Sequence, residues 1–268
     1  MPTLPLFQVD AFTDTVLKGN PAAVMPLDAW LPDATLQALA AENALSETAF
    51  IVPDGDGGYA IRWFTPLCEV PLCGHATLAS AFVLFEHLGF TGDVLRFSTR
   101  ERGVLEVRRG PGGRIVMDFP AGPLKRALMP EGLDRLLGAR PLEAVKMGAD
   151  DLIVVLDSAE RVRTLAPHLQ HLPHFKLRGL LVTAEAVPED GADIVCRYFA
   201  PGYGIAEDPV TGSVHTFLVP FWAPRLGKAE IVSRQVSARG GTLYCRDLGE
   251  RTEIAGDAVL YLRGEVRL

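Results

Sequence analysis

A chain of 268 residues, 48% of them hydrophobic, is long enough for one large domain or two ordinary ones and apolar enough to bury a real core. Its 26 Lys and Arg against 33 Asp and Glu leave a net charge of -7 with no long block of either sign, which argues against a nucleic-acid partner. No apolar run reaches the roughly 18 residues that span a bilayer, and "MPTLPLFQVDAF" lacks a basic stretch followed by an apolar one, so a soluble cytoplasmic protein without a membrane partner is expected.

In chain order, "PLFQVDAF" (5–12) and "ETAFIVP" (47–53) read as strands, with a peripheral helix expected between them at 36–43. "YAIRWFTP" (59–66) is aromatic and β-branched and ends at Pro, a further strand signature. Residues 75–88 are apolar on nearly every side of a helical wheel, which predicts a buried helix stopped at Gly89. "GVLEVRRG", "RIVMDFP", "DLIVVLD" and "GLLVTAE" continue the strands, with a second peripheral helix around 130–137. "PHLQHLPHF" (167–175) clusters three histidines among Leu and Pro without acidic neighbours and reads as a surface loop. "DIVCRYFAP" (193–201) is another strand ending at Pro, and 213–226 is another all-round apolar run stopped by a glycine, Gly227. Pro220 and Pro224 inside that run predict a kink or an early end. "AEIVSRQVS", "GTLYCRD" and "DAVLYLRGEVRL" complete the strands.

These elements repeat. Arg62-Trp63-Phe64-Thr65-Pro66 matches Arg197-Tyr198-Phe199-Ala200-Pro201, and Glu69-Val70-Pro71-Leu72-Cys73-Gly74 matches Glu207-Asp208-Pro209-Val210-Thr211-Gly212. Gly74 to Gly212 and Gly89 to Gly227 share an offset of 138 residues, while the Arg-x-Phe parts sit at 135, a three-residue difference in one loop. A strand, a turn and a buried helix recurring in order indicate duplication. The fold class is therefore α+β, with two pseudo-symmetric lobes, each a barrel-like sheet around a central helix. The first lobe is expected over 1–118 and completed by 257–268, the second over 119–256.

Cofactor signatures are missing. There is no Gly-x-Gly-x-x-Gly, no Gly-x-x-x-x-Gly-Lys-Ser/Thr and no Gly-x-Ser-x-Gly, so no cofactor is expected and the chemistry falls to side chains. Cys68, Cys73, Cys196 and Cys245 form no C-x-x-C pair and read as free thiols, and the histidines His87, His168, His171, His174 and His215 form no ligand set, so no metal is expected.

"DAFTDTVLKGNPAAV", "ENALSETAFIV", "RWFTPLCEVPLCGHATLASA", "RYFAPGYGIAEDPVTGSVH" and "QVSARGG" together resemble the PhzF-like phenazine-biosynthesis family, essentially end to end. The likeness is closer to the broad branch of phenazine-biosynthesis-like domain proteins than to the dedicated phenazine enzyme. It implies a diaminopimelate-epimerase-like fold with an active site between the lobes, and a cofactor-independent isomerase or epimerase that moves a proton on a small amino or hydroxy carboxylic acid. The family's acid/base Glu matches Glu47 in Ala44-Leu45-Ser46-Glu47. Its other site residues match His75 and Asp208 as partners in catalysis, and Gly74, Gly212 and Ser213 in substrate binding, with Asn20, Cys73 and Thr211 beside them. A homodimer is expected. Ala44 departs from the family, where many members carry Asn.

The residues keep alternatives open. Glu47 in an enclosed cleft would have its pKa raised toward the range useful for proton shuttling, or it is a surface or capping-box acid beside Ser46. Gly74 and Gly212 open helices whose free N–H groups suit a substrate carboxylate, or they only permit tight turns. In diaminopimelate epimerase two opposed cysteines act as bases; here the places hold Cys73 and Thr211, so the two-thiol mechanism is incomplete and Cys73 is a packing residue or a residual acid partner. His75 bonds substrate or Glu47, or makes a local helix-end bond. A catalytically silent binding or regulatory protein using the same cleft is the alternative to an enzyme.

Overall fold

The computed structural model describes residues 3–268, which form an α+β fold of two compact units. One unit runs to Asp118 and takes back Ala255–Leu268; the other is Phe119–Ile254.

The first unit contains β1 (Thr3–Ala11), β2 (Asn20–Pro26), α1 (Asp33–Asn43), β3 (Glu47–Pro53), β4 (Tyr59–Phe64), β5 (Glu69–Val70), α2 (Gly74–Glu86), β6 (Val94–Ser98), β7 (Val104–Arg109) and β8 (Ile115–Pro120). The second contains β9 (Leu124–Arg126), α3 (Leu133–Leu137), β10 (Glu143–Met147), β11 (Asp151–Val155), α4 (Ala159–Thr164), β12 (Gly179–Glu185), β13 (Ile194–Ala200), β14 (Ile205–Asp208), α5 (Gly212–Leu226), β15 (Glu230–Gln235) and β16 (Gly241–Asp247). The chain closes with β17 (Arg251–Gly256) and β18 (Ala258–Arg267).

Strand pairing repeats between the units. β2 and β3 are parallel with α1 between them in sequence, β4 runs antiparallel to β3 and β5, and β6 joins the far end of β4 in parallel. In the second unit β11 and β12 are parallel with α4 between them, β13 runs antiparallel to β12 and β14, and β15 joins β13 in parallel. β1 flanks β2, and β10 flanks β11, each antiparallel. Equivalent residues follow from the registers: Thr48 pairs with Phe64 and Leu180 with Phe199, so Glu47 corresponds to Gly179.

Each buried helix follows its apolar sequence. α2 buries every residue from His75 to Ala81 and packs on β1, β2, β3 and β18. Thr77 Oγ1 donates to the Cys73 carbonyl at 2.6 Å and Ser80 Oγ to the Ala76 carbonyl at 2.7 Å, so neither of these two buried hydroxyls is left orphaned. The expected stop at Gly89 is displaced: α2 ends at Glu86 with a non-glycine cap, His87, and Gly89 takes its positive φ of 73° in the turn beyond. α5 does end on Gly227, at φ 66°. Of the two expected outcomes the early end does not occur, since the helix passes both prolines. Pro220 has no N–H for the Thr216 carbonyl, and the N–H of Gly122 takes that carbonyl instead at 2.9 Å.

The histidine cluster is also a correction, because 169–175 is a 3-10 turn rather than a loop. Leu172 points inward and is fully buried, while His168, His171 and His174 fall three apart on the exposed side.

Candidate active site

In the first unit the β2–β3 pairing sets Ala22 opposite Glu47, so the carboxylate starts its strand directly after the turn that ends α1. Ala44 makes that turn at φ 53°, a left-handed conformation that Asn or Gly adopts at lower cost than Ala. Asn43 Nδ2 donates to Thr48 Oγ1 at 3.1 Å, and Ser46 Oγ to the fully buried Asn20 Oδ1 at 3.5 Å, fixing the approach to Glu47. α2 begins at Gly74 behind Cys73, whose side chain makes no capping bond.

These two chain segments bring three side chains together. His75 Nε2 lies 3.2 Å from Glu47 Oε2, and His75 Nδ1 lies 3.5 Å from Cys73 Sγ. Cys73 and His75 are 7% and 6% exposed, and the Glu47 side chain 19%. Glu47 Oε2 and His75 Nε2 have no well-directed hydrogen bond, to each other or to any other described group. Both are facing donors or acceptors held out of water.

The charges follow from this contact. Burial raises the Glu47 pKa, but the His75 charge and the polar contacts with His75 and Cys73 together outweigh it, so the carboxyl sits below its ordinary value. That reverses the expectation of a raised pKa, which counted desolvation and not the imidazolium. Burial pushes His75 down, and its two acidic neighbours push it well above its ordinary value. The Cys73 thiol is itself driven up, first by burial and then by the Glu47 charge.

In the second unit, Thr211 precedes α5 as Cys73 precedes α2, and its surroundings are fully bonded. Thr211 Oγ1 donates to Asp208 Oδ2. The Thr211 N–H donates to Gln235 Oε1 at 2.9 Å, and Gln235 Nε2 donates to the Asp208 carbonyl at 2.8 Å. His215 accepts the place of Thr77: its Nδ1 lies 2.7 Å from the Thr211 carbonyl and its Nε2 2.8 Å from Ser233 Oγ. Burial lowers the His215 pKa to about 4. Ser213, at the place of His75, is exposed. Gly179, at the place of Glu47, has no room for a side chain because the Tyr198 hydroxyl and the Asp151 carboxylate, 3.0 Å apart, occupy it. Gly74 and Gly212 each stand at the first helical position without a positive φ.

The sequence reading assigned no role to the arginine of the repeated Arg-x-Phe. Arg62 grips Glu69 with two bonds of 2.7 Å and reaches Asp33 at the start of α1 at 2.8 Å. Arg197 grips Glu207 at 2.7 and 2.9 Å and takes three carbonyls at the end of α4, with Leu165 at 2.6 Å. A bidentate guanidinium fixes distance and direction, so in both units the short strand leading to the buried helix is locked to β4 or β13. The recurrence of Arg and Glu at matched spacing was the available signal.

The fold defined by these units is the diaminopimelate-epimerase-like fold, and the chain is an enzyme of the isomerase class. It belongs to the phenazine biosynthesis-like (PhzC-PhzF) family, which it matches over residues 9–264. A Pseudomonas aeruginosa protein named as an isomerase is 50% identical over 99% of both chains. The crystal structure of a PhzF-family protein from Enterococcus faecalis is 42% identical, with a TM-score of 0.94 over the full length of both. A hydroxyproline epimerase from Agrobacterium vitis, 12% identical, shares the fold alone at a TM-score of 0.59, covering 98% of this chain and 92% of its own. No helix among the described residues is long and apolar enough to cross a membrane.

Proposed function

We propose that the enzyme is a cofactor-independent isomerase or epimerase in which Glu47 carries a proton on a small amino or hydroxy carboxylic acid. The observation that supports it most is the buried Glu47–His75 contact, where an ionised carboxylate has an oxygen with no hydrogen-bond partner among the described residues. A carboxylate held in that contact without a well-directed bond can turn to accept a proton from a substrate C–H. Glu47 takes the proton as the C–H electron pair moves into the adjacent carboxylate, and the resulting acid, which exchanges with solvent in a fraction of turnovers, returns a proton to carbon. His75, charged and fixed beside Glu47, positions that carboxylate and offsets the charge that develops next to it. Cys73 is a proton donor of last resort, because its thiol is held protonated. For the second unit the reading assigns Asp208, Thr211, Gly212 and Ser213 to ligand binding, with Asn20 and Gly74 in the first.

The test is incubation with a set of cyclic and linear amino and hydroxy acids in deuterated water. Solvent deuterium at carbon in at least one of them is the expected result. Ligands that bind without exchange, across the whole set, would instead establish a silent binding protein.

A further inference from the structure

We propose that Glu47, Cys73 and His75 also form a binding site for one borderline-soft divalent cation of the zinc class. One ligand atom from each residue lies within 4.8 Å of the other two. Tetrahedral zinc holds its N, O and S ligands about 3.3–3.7 Å apart, so a closure of roughly 1 Å at most completes the set. The 3.2 Å between His75 Nε2 and Glu47 Oε2 already falls near that spacing, and Cys73 Sγ, 3.5 Å from the other ring nitrogen, is the ligand that must move to reach an ion held by Nε2. Glu47 Oε2 and His75 Nε2 are buried and face one another without a well-directed hydrogen bond, and a cation between them, displacing the His75 and Cys73 protons, would bind both.

The donor chemistry narrows the ion. One thiolate, one imidazole and one carboxylate suit zinc or cobalt, whereas magnesium and calcium require oxygen throughout. Three protein ligands leave a fourth position open for water or a ligand. The second unit supplies an internal control, since the equivalent residues Thr211, Ser213 and Gly179 offer no such set. One ion per chain is therefore expected. A bound cation would occupy the Glu47 oxygen needed for proton transfer, so metal and turnover exclude each other.

Titration with cobalt(II) under reducing conditions tests the site without any turnover, so its failure would leave the proton-transfer reading standing. The parent is expected to bind one ion with a thiolate-to-cobalt band in the near ultraviolet and the visible bands of four-coordinate cobalt, both removed by added zinc. Cys73→Ser should lose the thiolate band and weaken binding by more than the ~10–100-fold that loss of a merely supporting residue costs. Should Cys73→Ser fail to fold, Glu47→Gln, which keeps the size and removes the charge, must weaken cobalt binding and keep the thiolate band. Exposed alternatives exist at Cys68 and at the His168, His171 and His174 row, so Cys68→Ser and His171→Ala must leave the spectrum unchanged. A parent that binds no cobalt, a thiolate band that survives Cys73→Ser, or a band lost in Cys68→Ser overturns the proposal.

Discussion

The starts of α2 and α5 are built on one plan and finished in opposite ways. In both, a bidentate Arg–Glu pair locks the preceding strand, and a residue one turn into the helix bonds the cap carbonyl, Thr77 in one unit and His215 in the other. Around Thr211 every polar group has a partner, supplied largely by the Gln235 amide. In the first unit the residue equivalent to Gln235 is Thr99, which turns away to bond the Gly103 carbonyl at 2.9 Å. A cavity of about 110 Å³ lies next to this segment, lined by Ile61, Trp63, Val70, Pro71 and Arg100. Two buried atoms, on Glu47 and His75, go without bonds. Unsatisfied buried groups cost stability, and proteins concentrate that cost where chemistry is done. On the proposed reading, the first helix start carries the proton-moving residues and the second is held by the Gln235 clamp.

The contrast can be broken first by pH. His215 titrates near 4 in the folded chain and near 6.5 when unfolded, so the unfolded state binds the proton first as pH falls. Its contribution is intact above pH 6.5 and is lost progressively down to about pH 4, roughly 3 kcal/mol in all, and urea unfolding of His215→Gln should lack that part of the slope. An unchanged slope would remove His215 as its source. Next, Gln235→Leu strands the Thr211 N–H and the Asp208 carbonyl, at a cost of about 1–3 kcal/mol each, while Thr99→Val should cost less than about 1 kcal/mol. Equal losses would show that the clamp is not peculiar to the second unit.

Cys73→Ser gives the first helix start a hydroxyl like that of Thr211. Its exchange rate should fall well short of the ~10²–10⁴-fold that loss of a general base costs. A fall of that full size would move the base from Glu47 to the thiol. The smallest effect concerns Ala44, held at φ 53°, where Ala44→Asn should stabilise by about 0.5–1 kcal/mol. No gain, or a loss, would mean that the turn around Ala44 relaxes at no cost.

Much of this was legible in the sequence. Arg-x-Phe, Glu-x-Pro and the helix-opening glycines repeat within short spans, and the all-round apolar helices declared their burial. The contact of Glu47 with His75 was only half legible. The parallel strand pairing that places Glu47 joins segments 25 residues apart, and no local period reports a register. The charge of the imidazolium was missed for the same reason, which is why the direction of the Glu47 shift came out reversed. β2 was overlooked because Pro21 and Pro26 bound "NPAAVMP", and a strand with Pro at both ends resembles a loop. Pro220 misled because the N–H that rescues the Thr216 carbonyl comes from Gly122, far away in sequence.

The account turns on Glu47 as the proton carrier, and Glu47→Gln tests it most directly. The amide keeps the shape and a hydrogen-bonding oxygen but does not hold the proton. With an acid that exchanges in deuterated water on the parent enzyme, both binding and deuterium incorporation can be measured on the variant. The predicted result is a dissociation constant close to that of the parent with incorporation reduced by about 10²–10⁴-fold. Incorporation at the parent's rate, with binding intact, would contradict the assignment and leave the buried pair a structural contact.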